Sequence, residues 1–205
     1  GFPIVQRCAA AAGAVVTPVA DDTGAPQRVS AALVEKIAAD LAFQAPPTVP
    51  ESVHWPEFTG YPLPGGGRFA FLDLLSANDV VSSALLLEHA RRQNPEAAGP
   101  LVLLLATRAD RPLRTVAFVE WLASLSGVAG FVPVGSHALY AHAALRRRRM
   151  PLLFRLPPLF PAPSRLLSRI SGITGPGFRL VGLGNAHGHG ERLRAYLEQE
   201  VRPCC

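Results

Sequence analysis

The most constraining feature of the sequence is a regular alternation of short apolar segments and amphipathic segments that begins at Arg68. The apolar segments have the composition of strands that are buried on both faces. The segments between them carry apolar residues at helical spacing. In chain order, the strand and helix pairs are "FAFLDLLS" with "VVSSALLLEHARRQ", "PLVLLLAT" with "PLRTVAFVEWLASL", "GFVPVG" with "HALYAHAALRRR", the weaker "LLFRLP" with "SRLLSRIS", and "FRLVGLGN" with "GERLRAYLEQE". The alternation predicts an α/β fold in which helices cover both faces of a mostly parallel sheet.

The region before Arg68 divides into two parts of different composition. Residues 1–45 contain the apolar stretch "AVVTPV", which predicts a strand, and "VSAALVEKIAADLAF", which has helical spacing. Residues 46–67 hold proline and glycine at a density that no helix or central strand tolerates. We therefore predict a short α/β segment over 1–45, a linker over 46–67 and the main domain over 68–205.

Composition limits the class of protein and its partners. The chain has 205 residues, of which 49% are hydrophobic, and this is enough for one well-packed domain with a smaller appendage. Its net charge of +5 comes from arginine, because Lys36 is the single lysine. No zinc-finger spacing and no aromatic and basic strand pattern accompany this charge. Nucleic acid is therefore not an expected partner.

The cysteines and the apolar runs indicate the cellular compartment. The three cysteines form no metal or disulfide framework, because Cys8 stands alone and Cys204 and Cys205 are adjacent. No apolar run reaches the roughly 20 residues that a transmembrane helix needs, and the first residues lack the layout of a signal peptide. We expect a reducing cytoplasmic location and no bound metal. Because the chain begins at Gly1 and its single methionine is Met150, we expect it to be processed or part of a longer protein.

Polar residues follow the first predicted strand. Asn78 and Asp79 come directly after it, and Ser82 or Ser83 would lie in the first turn of the next helix. One interpretation is a helix N-cap formed by Asn78 or Asp79. The other is a ligand-binding role at the carboxyl edge of the sheet, where parallel sheets bind their ligands. The sequence leaves both interpretations open.

The second strand is followed by the charged stretch "TRADRPLR". A cap would explain Asp110, but it would not explain Arg108, Arg111 and Arg114. Cations near the start of a helix oppose the helix dipole unless they face an anion. This stretch therefore predicts an anion-binding site.

The last strand ends in the glycine-rich turn "GLGNAHGHG". Gly182, Gly184 and Gly188 would let the backbone turn sharply and present amide donors to a phosphate or a carboxylate. The turn is not the dinucleotide fingerprint, because His187 stands where that motif has its third glycine. His187 could equally be a loop histidine with a structural partner.

Together and in this order, "FLDLLSANDVVSS", "RADRPLRTVAF" and "GLGNAHG" resemble the carboxyl-terminal region of poly-γ-glutamate synthase, a Mur-ligase-like enzyme that builds capsular polyglutamate. The resemblance covers about residues 68–200. It implies a Rossmann-like domain similar to the last domain of Mur ligases, and it implies that residues 1–45 are the tail of an ATPase domain. ATP would phosphorylate the γ-carboxyl group of the growing chain, and the amine of an incoming glutamate would attack the acyl phosphate.

The resemblance also implies roles for the residues at the strand exits. Asn78 and Asp79 would border the nucleotide or the acyl phosphate. The arginines would receive carboxylate or phosphate oxygens, which guanidinium groups bind bidentately. Asp110 would bind the incoming ammonium group or orient an arginine. The predicted binding residues are Asn78, Asp79, Arg108, Asp110, Arg111, Arg114, Asn185, His187 and Gly188.

One departure from the family concerns its phosphate-binding loop, Gly-x-x-x-x-Gly-Lys-Ser/Thr, because no such loop occurs here and Lys36 lies in a helical pattern. We therefore expect the chain to be inactive alone. The ATP and magnesium that the family implies would be bound mainly by a missing ATPase half or subunit. The other partners would be glutamate, the polyglutamate chain and membrane subunits of a synthase complex, at the inner face of the cell membrane.

The alternative function is a non-catalytic binding or scaffolding module derived from such a ligase. An unrelated small-molecule enzyme on the same fold is a third interpretation.

Overall fold

The computed structural model describes residues 55–77, 79–93, 99–199 and 201, all within a unit that begins at Trp55. They form one five-stranded sheet in the order β1-β2-β5-β3-β4. The strands are β1 (Thr59–Pro62), β2 (Arg68–Asp73), β3 (Leu101–Thr107), β4 (Gly130–Gly135) and β5 (Arg179–Gly184). The helices are α1 (Val80–Gln93), α2 (Pro112–Leu122), α3 (Ala138–Arg147), α4 (Pro163–Thr174) and α5 (Glu191–Gln199).

The sheet is parallel except at one edge. β2, β5, β3 and β4 run parallel to their neighbours, and β1 pairs antiparallel with β2. β5 is last in the chain but lies between β2 and β3, with Val181 paired to Leu72 on one side and to Leu103 on the other. The predicted α/β class with a mostly parallel sheet is confirmed.

Apolar side chains cover both faces of the sheet. The buried residues of α1, α2 and α3 pack with Leu103, Leu105 and Val181 on one face. Those of α4 and α5 pack with Leu104 and Leu180 on the other. β3, "LVLLLAT", is buried along its whole length because both of its faces meet helices.

The segment "LLFRLP" is not the strand that its composition predicts. Leu152 forms an isolated bridge with Phe131, and the segment 151–162 then follows the outer side of β4. The Leu153 N–H donates to the Phe131 carbonyl, and the Gly135 N–H donates to the Leu159 carbonyl. The prolines of this segment have no N–H to donate to a ladder, so it shields the edge of β4 without extending the sheet.

Part of the predicted linker belongs to the sheet. β1 lies within residues 46–67 and pairs with β2 from Thr59, opposite Phe71, to Pro62, opposite Arg68. It is an edge strand, where proline is tolerated. The turn back to β2 contains Gly65, Gly66 and Gly67, all at positive φ. The predicted segment 1–45 lies outside the described residues and stays a prediction.

No helix in the described part of the chain is long and apolar enough to span a membrane.

The connections create a crevice between β3 and β5. These strands are neighbours, yet β3 leads to α2 on one face of the sheet and β5 leads to α5 on the other. In open parallel sheets, ligands bind outside the carboxyl ends of strands at such a point. The topology therefore singles out the segments after Thr107 and after Gly184.

Candidate functional site

An open cavity of about 370 Å³, here named cavity A, lies at the carboxyl ends of β2, β5 and β3. The three ends are level, because Asp73 pairs with Gly182 and Ala106 pairs with Gly184. The cavity is lined by residues from all three strand exits: Leu75, Ser76, Arg108, Arg111, Arg114, Asn185, Ala186 and His187. Five of the predicted binding residues therefore meet in one place.

Asp110 is bound to an arginine and does not cap α2. The Arg108 guanidinium donates to both carboxylate oxygens, from Nε to Oδ1 and from Nη2 to Oδ2, each at 2.8 Å. Arg111 is the N-cap residue of α2 and no side chain caps this helix, so the cap interpretation of Asp110 is wrong. The hydrogen bonds from Arg108 are also the largest cause that lowers the Asp110 pKa. The resemblance implies two roles for Asp110, and the pair with Arg108 has the geometry of the one in which Asp110 orients an arginine.

Arg111 is the most available cation of cavity A. Its side chain is 57% exposed, and its Nε lies 3.9 Å from the Asp110 Oδ2. Asp110 already carries the bidentate pair with Arg108. The Arg111 guanidinium therefore keeps donors for a ligand.

Arg114 is bonded to the protein on two sides. Its Nη2 donates to the Ala77 carbonyl at 2.6 Å, and its Nη1 donates to the Asn185 Oδ1 at 3.4 Å. Its Nε is buried and has no hydrogen-bond partner among the described residues. Burial lowers the Arg114 pKa, and the charge of Arg111 lowers it further. Arg114 thus connects the exits of β2, β3 and β5.

The glycine turn combines one packing glycine with two turning glycines. Gly182 lies in β5, where a Cβ would come within 3.0 Å of Leu75, so it permits close packing and not the predicted turn. Gly184 has φ +96°, and a Cβ there would lie 2.4 Å from the Ala106 carbonyl oxygen. Gly188 has φ +73°, and His187 before it is extended. The turn therefore depends on Gly184 and Gly188.

The turn presents Asn185 and His187 to cavity A. Asn185 is buried, and its Nδ2 donates to the Ala106 carbonyl at 3.2 Å while its Oδ1 accepts from Arg114. Both polar groups of the Asn185 side chain are therefore hydrogen-bonded within the protein. His187 lines the cavity after an extended backbone.

Asp79 caps α1. Its Oδ1 accepts the Ser82 N–H at 2.8 Å, and its Oδ2 accepts the Ser82 hydroxyl at 2.9 Å. The backbone hydrogen bond from Ser82 is the largest cause that lowers the Asp79 pKa. Asp79 lines neither cavity described here. The N-cap interpretation is confirmed for Asp79, and Asn78 lies outside the described residues.

Replacing Asp79 with alanine should lower the free energy of unfolding by about 1 kcal/mol, because the first turn of α1 loses its cap. The folded-state pKa lies below the unfolded one, so this stabilisation is present above the unfolded pKa of about 4 and is lost as the pH falls through the folded value. Urea unfolding of the unmodified chain and of the variant, at pH 7 and at pH 3, measures the loss of stability and its dependence on pH. The exposed Glu120→Ala variant is the control, and an equal loss at both pH values would contradict the cap.

A second cavity of about 280 Å³, here named cavity B, lies beside the first at the carboxyl ends of β3 and β4. It shares Arg108 with cavity A. Its lining comes from four segments of the chain: Thr107, Arg108, Ala109, Asp110, Gly135, Ser136, Phe160, Gly188, His189 and Arg192. Three predicted binding residues, Arg108, Asp110 and Gly188, therefore lie here.

Cavity B contains functional candidates that the sequence analysis missed. Ser136 follows β4, which is a fourth strand exit, and His189 and Arg192 continue the glycine turn into α5. Burial lowers the His189 pKa, as does the charge of Arg192. The ring of Phe160 lies 5.2 Å from that of His189. The short polar stretch "GSH" after β4 was the available signal for Ser136.

In the described ranges, no group of three or more histidine, cysteine, aspartate or glutamate side chains is placed to hold a metal ion. The two cavities instead offer guanidinium, hydroxyl and imidazole groups.

Comparison with known proteins identifies the family. A search of curated proteins gives no match. Residues 60–200 match the model of the poly-gamma-glutamate synthase CapB C-terminal domain. This range contains every described strand exit and both cavities. The chain therefore belongs to the family of poly-gamma-glutamate synthase CapB C-terminal domains.

Proposed function

We propose that this chain supplies the anion-binding half of the amide-ligation site of a poly-γ-glutamate synthase. In this proposal, cavity A holds the carboxylate and phosphate oxygens of the reacting chain end at the border of the ATP site. The observation that carries the proposal is the convergence of Arg108, Arg111 and Arg114 on a cavity whose lining includes no carboxylate. Guanidinium groups bind carboxylate and phosphate bidentately, which fits both the polymer end and its acyl phosphate.

In this proposal, each of the three arginines has a different role. Arg114 is fixed to Ala77 and Asn185 and keeps the strand exits together. Arg108 is fixed to Asp110 and presents a defined edge to both cavities. Arg111 is the exposed member and makes the principal contact with the ligand. Of the three, Arg111 alone makes no side-chain hydrogen bond to the described residues, so changing it disturbs the fewest polar contacts of the protein.

The reaction needs charge stabilisation more than it needs an acid or a base at cavity A. ATP supplies the phosphoryl group that converts a carboxylate into an acyl phosphate. The neutral amine nitrogen then attacks the carbonyl carbon, the new N–C bond forms, and the bond from carbon to the phosphate oxygen breaks. The phosphate leaves with that electron pair, and the proton lost from the amine passes to the phosphate or to water. Preorganised cations stabilise the departing phosphate. The described residues offer no metal-binding group, so magnesium would be held by the ATP-binding part.

An exposed apolar rim supports a covering partner at the same edge of the sheet. Val81, Leu113 and Leu139 lie in the first turns of α1, α2 and α3, and they are 69%, 83% and 60% exposed. Phe160, in cavity B, is 65% exposed. Large exposed apolar side chains at one edge of a domain favour an interaction surface there. The ATP-binding part of the synthase is the partner that would cover this rim.

The test measures the binding of inorganic phosphate to the full chain by calorimetry. Phosphate should bind to the unmodified chain, and Arg111→Ala should weaken binding by about tenfold, since charge-assisted hydrogen bonds are each worth roughly 1.5 kcal/mol or more. Arg147→Ala is the matched control, because Arg147 is an exposed arginine at the far end of α3. Equal weakening in both variants would show nonspecific attraction and would refute the site.

A further inference from the structure

We propose that a surface outside cavities A and B binds the anionic phospholipid headgroups of a membrane directly. This inference does not depend on the proposed function. The resemblance implies attachment through membrane subunits, whereas this surface would place the chain itself on the lipid. It is named the arginine surface here, and it consists of five exposed residues: Arg148, Arg149, Arg155, Arg165 and Arg169.

The charges of the chain are segregated along its sequence. All 15 acidic residues lie outside residues 121–190, whereas eight arginines lie inside this range. The range contains β4, α3, α4 and β5. No carboxylate within it opposes the positive potential of its arginines. Exposed charge of one sign that is not neutralised locally attracts a partner of the opposite sign.

The first part of the arginine surface lies at the edge of the sheet. Arg148 is the C-cap residue of α3, and Arg149 follows it. Two residues later, the Pro151 carbonyl accepts the Phe131 N–H of β4 at 2.8 Å. Arg155 lies in the segment 151–162, which follows the outer side of β4. These three arginines are therefore distributed along the β4 edge.

The second part of the arginine surface lies on α4. Arg165 and Arg169 are one turn apart, so they share a side of this helix. The Arg169 guanidinium carbon lies over the Phe154 ring, 4.3 Å from its centroid. Phe154 precedes Arg155 in the segment beside β4, so this contact joins the two parts of the surface. None of the five guanidinium groups has a hydrogen bond or an ion pair within the described part of the chain.

Arg149 occupies a backbone position that favours glycine. Among the described residues, it alone has a positive φ without being glycine, at 57°. The Cβ of an L-residue is crowded in this conformation, which glycine adopts freely. Arg146 and Arg147 already supply cations that stabilise the last turn of α3. The fold therefore does not account for a further arginine at position 149.

Exposed apolar side chains accompany the cations. Leu156 follows Arg155 and is 71% exposed. Ile173 lies one turn after Arg169 on the same side of α4 and is 56% exposed. The surface thus combines guanidinium groups with large apolar groups that the domain core does not cover.

This combination matches a bilayer better than a soluble polyanion. An anionic leaflet attracts arginines near its surface, and its headgroup boundary accepts apolar side chains. Guanidinium groups also bind phosphate oxygens bidentately. A dissolved polyanion, such as the polyglutamate chain, would neutralise the cations but would leave Leu156 and Ile173 in water.

The experiment is co-sedimentation of the full chain with two kinds of vesicle. One kind contains phosphatidylcholine alone, and the other contains equal parts of phosphatidylcholine and phosphatidylglycerol. We expect binding at least about tenfold tighter to the anionic vesicles, and raised salt should weaken it. Equal binding to both kinds of vesicle would overturn the proposal.

Arg149→Gly tests the surface without a loss of stability. It should weaken binding to the anionic vesicles about fivefold, and it should not lower the urea midpoint, because glycine adopts positive φ freely. Arg92→Ala is the matched control, because Arg92 is exposed, pairs with Glu88 and lies outside residues 121–190. Equal weakening by the two variants would show attraction by net charge alone and would refute the surface.

A second comparison separates a membrane from a soluble polyanion. Leu156→Asn keeps the charge of the chain and should weaken binding to the anionic vesicles about tenfold, because an apolar side chain no longer enters the headgroup boundary. Binding of soluble poly-γ-glutamate should not change. If Leu156→Asn leaves vesicle binding intact, or if the chain binds the polymer and not the vesicles, the membrane proposal is wrong. Arg111→Ala should weaken phosphate and leave vesicle binding unchanged, so this proposal and the proposed function can fail separately.

Discussion

Replacing Arg114 with alanine should lower the free energy of unfolding by about 3 kcal/mol, because a partly buried charged donor with two protein partners is lost. The Ala77 carbonyl and the buried Asn185 amide would each lose a hydrogen bond. Packing of the guanidinium over the Phe118 ring, 5.6 Å from its centroid, would also be lost. Urea unfolding of the full chain gives the difference.

The neighbouring arginine provides the control for this prediction. Arg111→Ala removes a side chain that is 57% exposed, so it should change the free energy of unfolding by no more than about 0.5 kcal/mol. Arg114→Lys should recover only part of the loss, since one ammonium group does not reproduce the fork of donors. If Arg111→Ala were the more destabilising change, the division between a positioning and a binding arginine would be wrong.

Arg111→Ala should reduce ATP-dependent incorporation of glutamate by at least about 100-fold in the assembled synthase, because losing one charge contact with the reacting anion in a closed active site costs about this much. The physical reason is that Arg111 is the exposed cation of cavity A. Arg111→Lys should recover little activity, because lysine cannot bind an anion bidentately. Incorporation of labelled glutamate into polymer is the measurement.

The control for this prediction is an arginine at a distance from cavity A. Arg147→Ala removes the same charge from the opposite end of α3 and should leave incorporation unchanged. Incorporation that survives Arg111→Ala, or that falls equally with Arg147→Ala, would show that cavity A does not hold a reacting anion.

The sequence predicted the elements of the main domain because their periodicity is local. β4 begins and ends where "GFVPVG" does, and α1 coincides with "VVSSALLLEHARRQ". The place of β5 between β2 and β3 was not predictable in this way, since it depends on pairing between residues such as Leu72 and Val181 that are far apart in the chain. The prolines near Leu152 prevented the strand that its apolar neighbours predict.

The candidate site was predictable in its residue types but not in their division of roles. The same strand precedes Arg108, Arg111 and Arg114, so the sequence alone predicts the same anion-binding role for each of them. What distinguishes Arg114 is contact with Ala77 and Asn185, which lie 37 and 71 residues away. Cavity B was missed for the same reason, because its lining joins the exits of three strands with Phe160 from the segment beside β4.

We propose that this chain contributes the anion site of a composite ligation centre. The most direct test of this proposal is calorimetric titration of the chain with the ATP-binding part of the synthase, with and without a non-hydrolysable ATP analogue. Contacts between such domains are usually modest and polar, so we predict weak association alone and association at least about tenfold tighter with the analogue, when bound phosphates neutralise the arginines of cavity A. Equal affinity with and without the analogue, together with no glutamate incorporation in the mixture, would contradict the claim and favour a scaffolding role.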